Sequence, residues 1–288
     1  MTSAFRTASA RTSFARAVLA AGTAVLIALA SLPWVATAAV EVFHAVVTEL
    51  RGAGHGLLSV EDGFATAMAV TAVTIPLPAL VASAVPTDAR RATGWAALGS
   101  VVLGGLLALR SPAPGATWVS VVVAILVGLA LGWLVLAAMR APLAPATPRS
   151  RRIAAWVIGV YGVGVLFVGF AGSPVDAGAH PLVIRALDAS HRVGVPGWFG
   201  YGALEFTANA LFFLPLGLLV VLLVGARRWW VGAAAGLVLS ACIETGQAVF
   251  LPARFASLDD VLSNTSGAVI GALVGVVVLG WGARRRVC

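Results

Sequence analysis

The chain has 288 residues, of which 60% are hydrophobic and only 10% charged, with a mean hydropathy of +0.99. A soluble globular chain is about a quarter charged, so this composition excludes a water-soluble domain and makes lipid the natural solvent. The net charge of +8 does not point to nucleic acid: all nineteen basic residues are Arg, set in small groups between apolar runs, as loop charges of a membrane protein are. The two cysteines, Cys242 in an apolar run and Cys288 at the last position, do not form a disulfide framework. Cys288 reads as a free thiol rather than a lipidation site.

A spanning helix needs about 20 mostly apolar residues. Candidates fall in chain order at Ala17–Val40, Gly63–Val85, Gly94–Leu109 and Thr117–Met139, then at Ile153–Ala171, Phe206–Gly225, Trp229–Leu251 and Val261–Gly282. The third is short, but Arg91 and Arg110 can snorkel from its ends. Pro76 and Pro78 in the second predict a kink, because each removes a backbone donor. The expected fold is therefore all-α, a polytopic bundle of about eight spanning helices.

Charge sets the orientation. With the N-terminus inside, the inner segments carry fourteen of the nineteen Arg, and the outer ones only Arg51, Arg110, Arg185, Arg192 and Arg254. The positive-inside rule then places both ends in the cytoplasm and the protein in the cell membrane as a multi-pass chain. A competing expectation is that residues 1–38 form a signal peptide ending at Ala36-Thr37-Ala38, which would leave seven spans. Ala141–Arg152, with three Pro and three Arg, reads as a cytoplasmic linker between two four-helix halves, 1–140 and 153–288.

The longest outer loop is Gly172–Glu205. Within it Pro181–Val193 predicts a short helix, with Arg185, Asp188 and Arg192 on one face and Val183, Ala186 and Leu187 on another. Trp198, Phe199 and Tyr201 follow, so an interfacial helix with an aromatic anchor is expected. His180, His191, Asp176 and Asp188 match no tight metal-ligand spacing, and neither a metal nor a cofactor is expected.

The chemistry lies in the last three spans. Glu244 sits inside the seventh, where a carboxylate costs about 2.5–3.5 kcal/mol on insertion scales and so faces a cavity or a partner. Gln247 shares its face at i+3. By rise per residue Glu244 lies about 10 Å below the outer helix end, and Asn209 and Asn264 on the order of 5 Å below theirs. Arg254, Asp259 and Asp260 lie in and beside the connecting loop directly above. Structural readings stand beside the functional ones: Ser257 and Asp260 have capping-box spacing, Asp259 suits a helix N-terminus, and the Asn residues suit interhelical hydrogen bonds. Gly267, Gly271 and Gly275, at a spacing of four, predict a close helix-packing face.

Asn209-x-x-x-Phe213-x-Pro215-Leu216-Gly217, Ser240-x-x-x-Glu244-x-x-Gln247 and Arg254-x-x-x-x-Asp259-Asp260-x-x-x-Asn264-x-x-Gly267-x-x-x-Gly271 together resemble the VanZ family in order, residue type and spacing. Glu205, four before Asn209, is also similar to that pattern. The resemblance covers roughly 153–288. It implies a four-helix membrane domain and, as in some members, an association with resistance to glycopeptides, chiefly teicoplanin. It implies no particular reaction.

The function expected is a cell-envelope role, with an outer-leaflet site that engages a lipid-linked or peptide-like envelope ligand. Arg254 would hold a phosphate or carboxylate. Asn209, Gln247 and Asn264 would supply hydrogen bonds. Glu244, Asp259 and Asp260 would act as bases or charge partners, with ligation of a cation a further option for the two aspartates. The alternatives are a membrane enzyme using the same three carboxylates for acid–base chemistry, a transporter, or a structural scaffold. No nucleophile elbow or Gly-rich phosphate loop favours an enzyme, and transporter sites usually lie nearer the midplane.

Overall fold

The computed structural model describes residues 62–76, 78–79, 118–170, 178–251 and 257–286. The first and third expected spans, the Ala36-Thr37-Ala38 site, Asp176, Arg254 and Cys288 lie outside the described residues. Seven α-helices are described: α1 Asp62–Thr74, α2 Trp118–Arg140, α3 Pro148–Gly169, α4 His180–Arg192, α5 Tyr201–Val224, α6 Trp229–Phe250 and α7 Leu258–Arg284. There is no strand among the described residues. Five of these helices, α2, α3, α5, α6 and α7, are long and apolar enough to cross a membrane.

The chain divides into two compact units, 1–46 with 65–136 and 47–64 with 137–288, so that the division falls inside both α1 and α2. In the first, α1 packs on α2. Ile125 and Leu129 of α2 are buried against Val70, and the Thr71 hydroxyl donates to the Ala124 carbonyl at 3.1 Å. α1 is interrupted where the prolines predicted a kink. It stops at Thr74, Ile75 and Pro76 form a turn, and helical backbone returns at residues 78–79. The physical reason is that a proline disfavours helical geometry in the residue before it.

The second unit holds α3 to α7. α3 begins at Pro148, five residues before Ile153, so the end of the stretch expected as a linker is helical. Its start is specified locally: Thr147 and Ser150 form a reciprocal capping box and Pro148 occupies the first turn. The preceding residues are packed. Ala144 is buried and its carbonyl accepts from the Ala226 N–H at 3.0 Å. α5 ends on Gly225, whose φ of +95° few other residues adopt.

α5 and α7 run parallel, and glycine sets their distance. A Cβ on Gly267 would lie 1.9 Å from the Ala210 carbonyl oxygen, and one on Gly271 would lie 1.9 Å from that of Leu214. Each step of four in α7 thus meets a step of four in α5, and the two backbones touch. From the other side a Cβ on Gly217 would fall 1.9 Å from the Ala268 carbonyl oxygen. α6 joins through the same small-residue surface, since Gly232 faces the Gly217 carbonyl and Gly236 the Ala268 methyl. In lipid, where apolar burial gives helices no preference for each other, such backbone approach is what holds a bundle together. α3 lies outside this core, with Val165 packed on Phe213, Leu216 and Ile243. The Tyr161 hydroxyl donates to the Phe212 carbonyl. That carbonyl is one residue on from Leu211, whose own carbonyl loses its partner to Pro215.

Candidate functional site

α3 and α6 end, and α5 and α7 begin, at one end of the second unit, and polar side chains meet there. Asn209 of α5 donates through Nδ2 to Oδ1 of Asp260 in α7 at 2.8 Å. Asn264, one turn further along α7, donates through Nδ2 to the Ser240 hydroxyl of α6 at 2.9 Å. The Ser240 hydroxyl in turn faces the Asp260 carbonyl at 3.4 Å, and Ser263 donates to that carbonyl at 3.1 Å. Ser240 and Ser263 are fully buried. One hydrogen-bonded network therefore ties α5, α6 and α7.

Beside it, Glu244 is only 7% exposed. Its Oε2 accepts the backbone N–H of Ser257 at 2.8 Å. Ser257 is the N-cap of α7, and its hydroxyl accepts from the Asp259 N–H at 3.2 Å. The start of a helix carries unsatisfied N–H groups and the positive end of the macrodipole, so it favours three carboxylates in one place. The capping box expected between Ser257 and Asp260 gives way to this arrangement. The Ser257 N–H goes to Glu244 across the loop, and the Asp260 carboxylate accepts from Asn209.

Helix starts explain why the residues meet. α5 and α7 begin at Tyr201 and Leu258, earlier than Phe206 and Val261. By rise per residue this puts Asn209 about 12 Å and Asn264 about 9 Å inside their helices, closer to the depth of Glu244 than the shorter spans implied. Gln247 turns elsewhere. It is buried and its Nε2 donates to the Gly169 carbonyl at 2.7 Å, satisfying one of the open carbonyls at the end of α3. Glu205 is exposed on α5. Arg254 belongs to 252–256, outside the described residues.

The sequence pattern quoted Ser240 but gave no reason to single it out, since serine is tolerated anywhere in a spanning helix. Its position four before Glu244, on the same face, was the available signal. Ser257 and Ser263 carried none beyond their proximity to the aspartates. His180 and His191 are used in packing: the His180 ring lies 4.8 Å from that of Tyr201, and His191 Nε2 lies 3.2 Å from the Phe199 carbonyl. Among the described residues no group of three His, Cys, Asp or Glu is placed to hold a metal ion.

Chemically the site is rich in acceptors. Glu244, Asp259 and Asn264 present buried oxygens, and the Asn264 amide oxygen has no hydrogen-bond partner among the described residues. A buried acceptor without a donor costs about 1–3 kcal/mol, so a donor from a ligand would be welcomed there.

A family model described as VanZ/LLP1 matches residues 128–279, just over half of the chain. The matched stretch begins inside α2, upstream of the residues that carry the pattern in the sequence. No curated protein and no solved structure matches.

Proposed function

The chain belongs to the VanZ/LLP1 family and is a membrane protein, and from that premise we propose a cell-envelope role in which the polar end of α5, α6 and α7 receives a lipid-linked or peptide-like envelope ligand. The reading places the protein in the cell membrane with about eight spans, both termini inside, and this polar end in the outer leaflet. It keeps 1–140 and 153–288 as separate four-helix regions. The observation that supports it best is the interhelical network through Asn209, Asp260, Ser240 and Asn264, which leaves an amide oxygen buried and ready for a donor. Asn209 and Asn264 would line the ligand, Gln247 would hold α3 beside it, and Arg254 would take a phosphate or carboxylate.

Resistance to teicoplanin is the phenotype that tests this role. A sensitive host would express the wild type, Glu244→Gln, or neither, at matched membrane levels. Protection by the wild type alone is the expected result. Glu244→Gln keeps an oxygen for the Ser257 N–H but cannot ionise, so its failure would assign the role to charge rather than to the helix cap. Absence of protection by either would remove resistance from the proposal.

A second reading, acid–base catalysis on a lipid-linked group, draws on one feature. Glu244 and Asp259 are both buried beside the start of α7, where the Glu244 carboxylate accepts the Ser257 N–H and the Asp259 backbone N–H donates to the Ser257 hydroxyl. Undiminished protection by Glu244→Gln would count decisively against it.

A further inference from the structure

α4 has three faces. Leu187, 8% exposed, and half-buried Val183 turn inward. Arg185, Asp188 and Arg192 form a second, fully charged face at i, i+3 and i+7, all exposed. The third is apolar and uncovered: Leu182, Ala186, Ala189 and Val193 follow at i, i+4, i+7 and i+11, with Leu182 64% and Val193 85% exposed. The helix is also held at both ends. The His180 ring packs on Tyr201 at the start of α5, and His191 Nε2 meets the Phe199 carbonyl.

An uncovered apolar face on a fixed helix between α3 and α5 needs an occupant. Those neighbours present apolar side chains outward at the same end, Phe167 and Phe170 on α3 among them. On a helix that joins two spanning helices, such a face has lipid as its natural occupant. The charged face lies beside it, turned away from Val183 and Leu187, and two of its three charges are guanidinium groups of a shape that suits phosphate.

We propose that α4 is a membrane-surface helix, with Leu182, Ala186, Ala189 and Val193 in the acyl-chain boundary of the leaflet at the polar end of the bundle, and Arg185 and Arg192 on the phosphates of its lipids. Trp198, Phe199 and Tyr201 sit where an aromatic belt would, at the level of the headgroups. Such a helix lies about 5–10 Å into the boundary between headgroups and chains. The assignment is independent of what the polar network binds.

The test uses the full chain in liposomes of mixed neutral and anionic phospholipid, with Cys242→Ser and Cys288→Ser as background. Single cysteines at positions 182, 186, 193, 185, 188 and 192 carry a nitroxide label, read by its collision rates with oxygen and with a water-soluble nickel chelate. The expected pattern is oxygen exceeding nickel at 182, 186 and 193 and the reverse at 185, 188 and 192. Nickel exceeding oxygen at all six would put α4 in water and overturn the proposal. So would exclusion of both reagents at 182, 186 and 193, which would mean that protein covers the face.

Discussion

At the residue scale the informative groups are those whose partners lie on another helix. Asn209 and Asp260 are 51 residues apart and meet at 2.8 Å. Interhelical hydrogen bonds in membranes are worth about 0.6 kcal/mol on average and up to about 1.7 kcal/mol, because the separated helices find other partners. A double-mutant cycle of Asn209→Ala and Asp260→Ala, read by unfolding in detergent, is expected to give a coupling on the order of 1 kcal/mol. Zero coupling would mean that the pair does not form in the folded protein. Asp260→Asn, which keeps an acceptor oxygen, should retain most of the stability that Asp260→Ala loses. These residues were visible in the sequence as polar groups in apolar runs. Their pairing was not, because a sequence shows depth along a helix and not which faces meet.

At the element scale, close approach decides. Gly271→Ala would drive a methyl group into the Leu214 carbonyl, which is backbone and cannot move aside without parting α5 and α7. Overpacking of this kind costs about 1–3 kcal/mol or more. Gly162→Ala on α3 meets nothing within 4 Å, and it replaces a poor helix former by the best one. Thermal unfolding of the two variants in one detergent is expected to separate them clearly, with Gly271→Ala melting lower and Gly162→Ala at or above the wild type. Equal melting would show that the α5 and α7 backbones are not in contact. Spacing of four in Gly267, Gly271 and Gly275 made a packing face legible. It did not reveal Gly217 of α5, or Gly232 and Gly236 of α6, which matter because of what lies opposite them.

At the scale of the whole molecule, the expectation is a topology. Arg140, Arg149, Arg151, Arg152, Arg227, Arg228 and Arg284 to Arg286 all belong to the end of the helices opposite the polar network. The positive-inside rule puts that end in the cytoplasm. Reporter fusions after Ala144 and after Arg286 are therefore expected to be active only as cytoplasmic markers. Activity of an exported marker at either point would reverse the orientation, and with it the outer-leaflet placement of the site.

Sequence by itself determined the solvent, the helical class and the approximate limits of α2, α3, α5, α6 and α7, because length and hydrophobicity are properties of a segment alone. It also carried the family pattern, whose residues keep their spacing whatever their contacts. Tertiary structure decided the rest. It put Gln247 on the end of α3 instead of in the network, gave the Ser257 N–H to Glu244, and made Ser240 the link between α6 and α7. It separated Ala186 from Val183 and Leu187 on α4, leaving Ala186 on the exposed apolar face. The reason is the same in each case. A polar group in lipid must find a partner, and the partner it finds depends on which helix face stands opposite, a property no single segment holds.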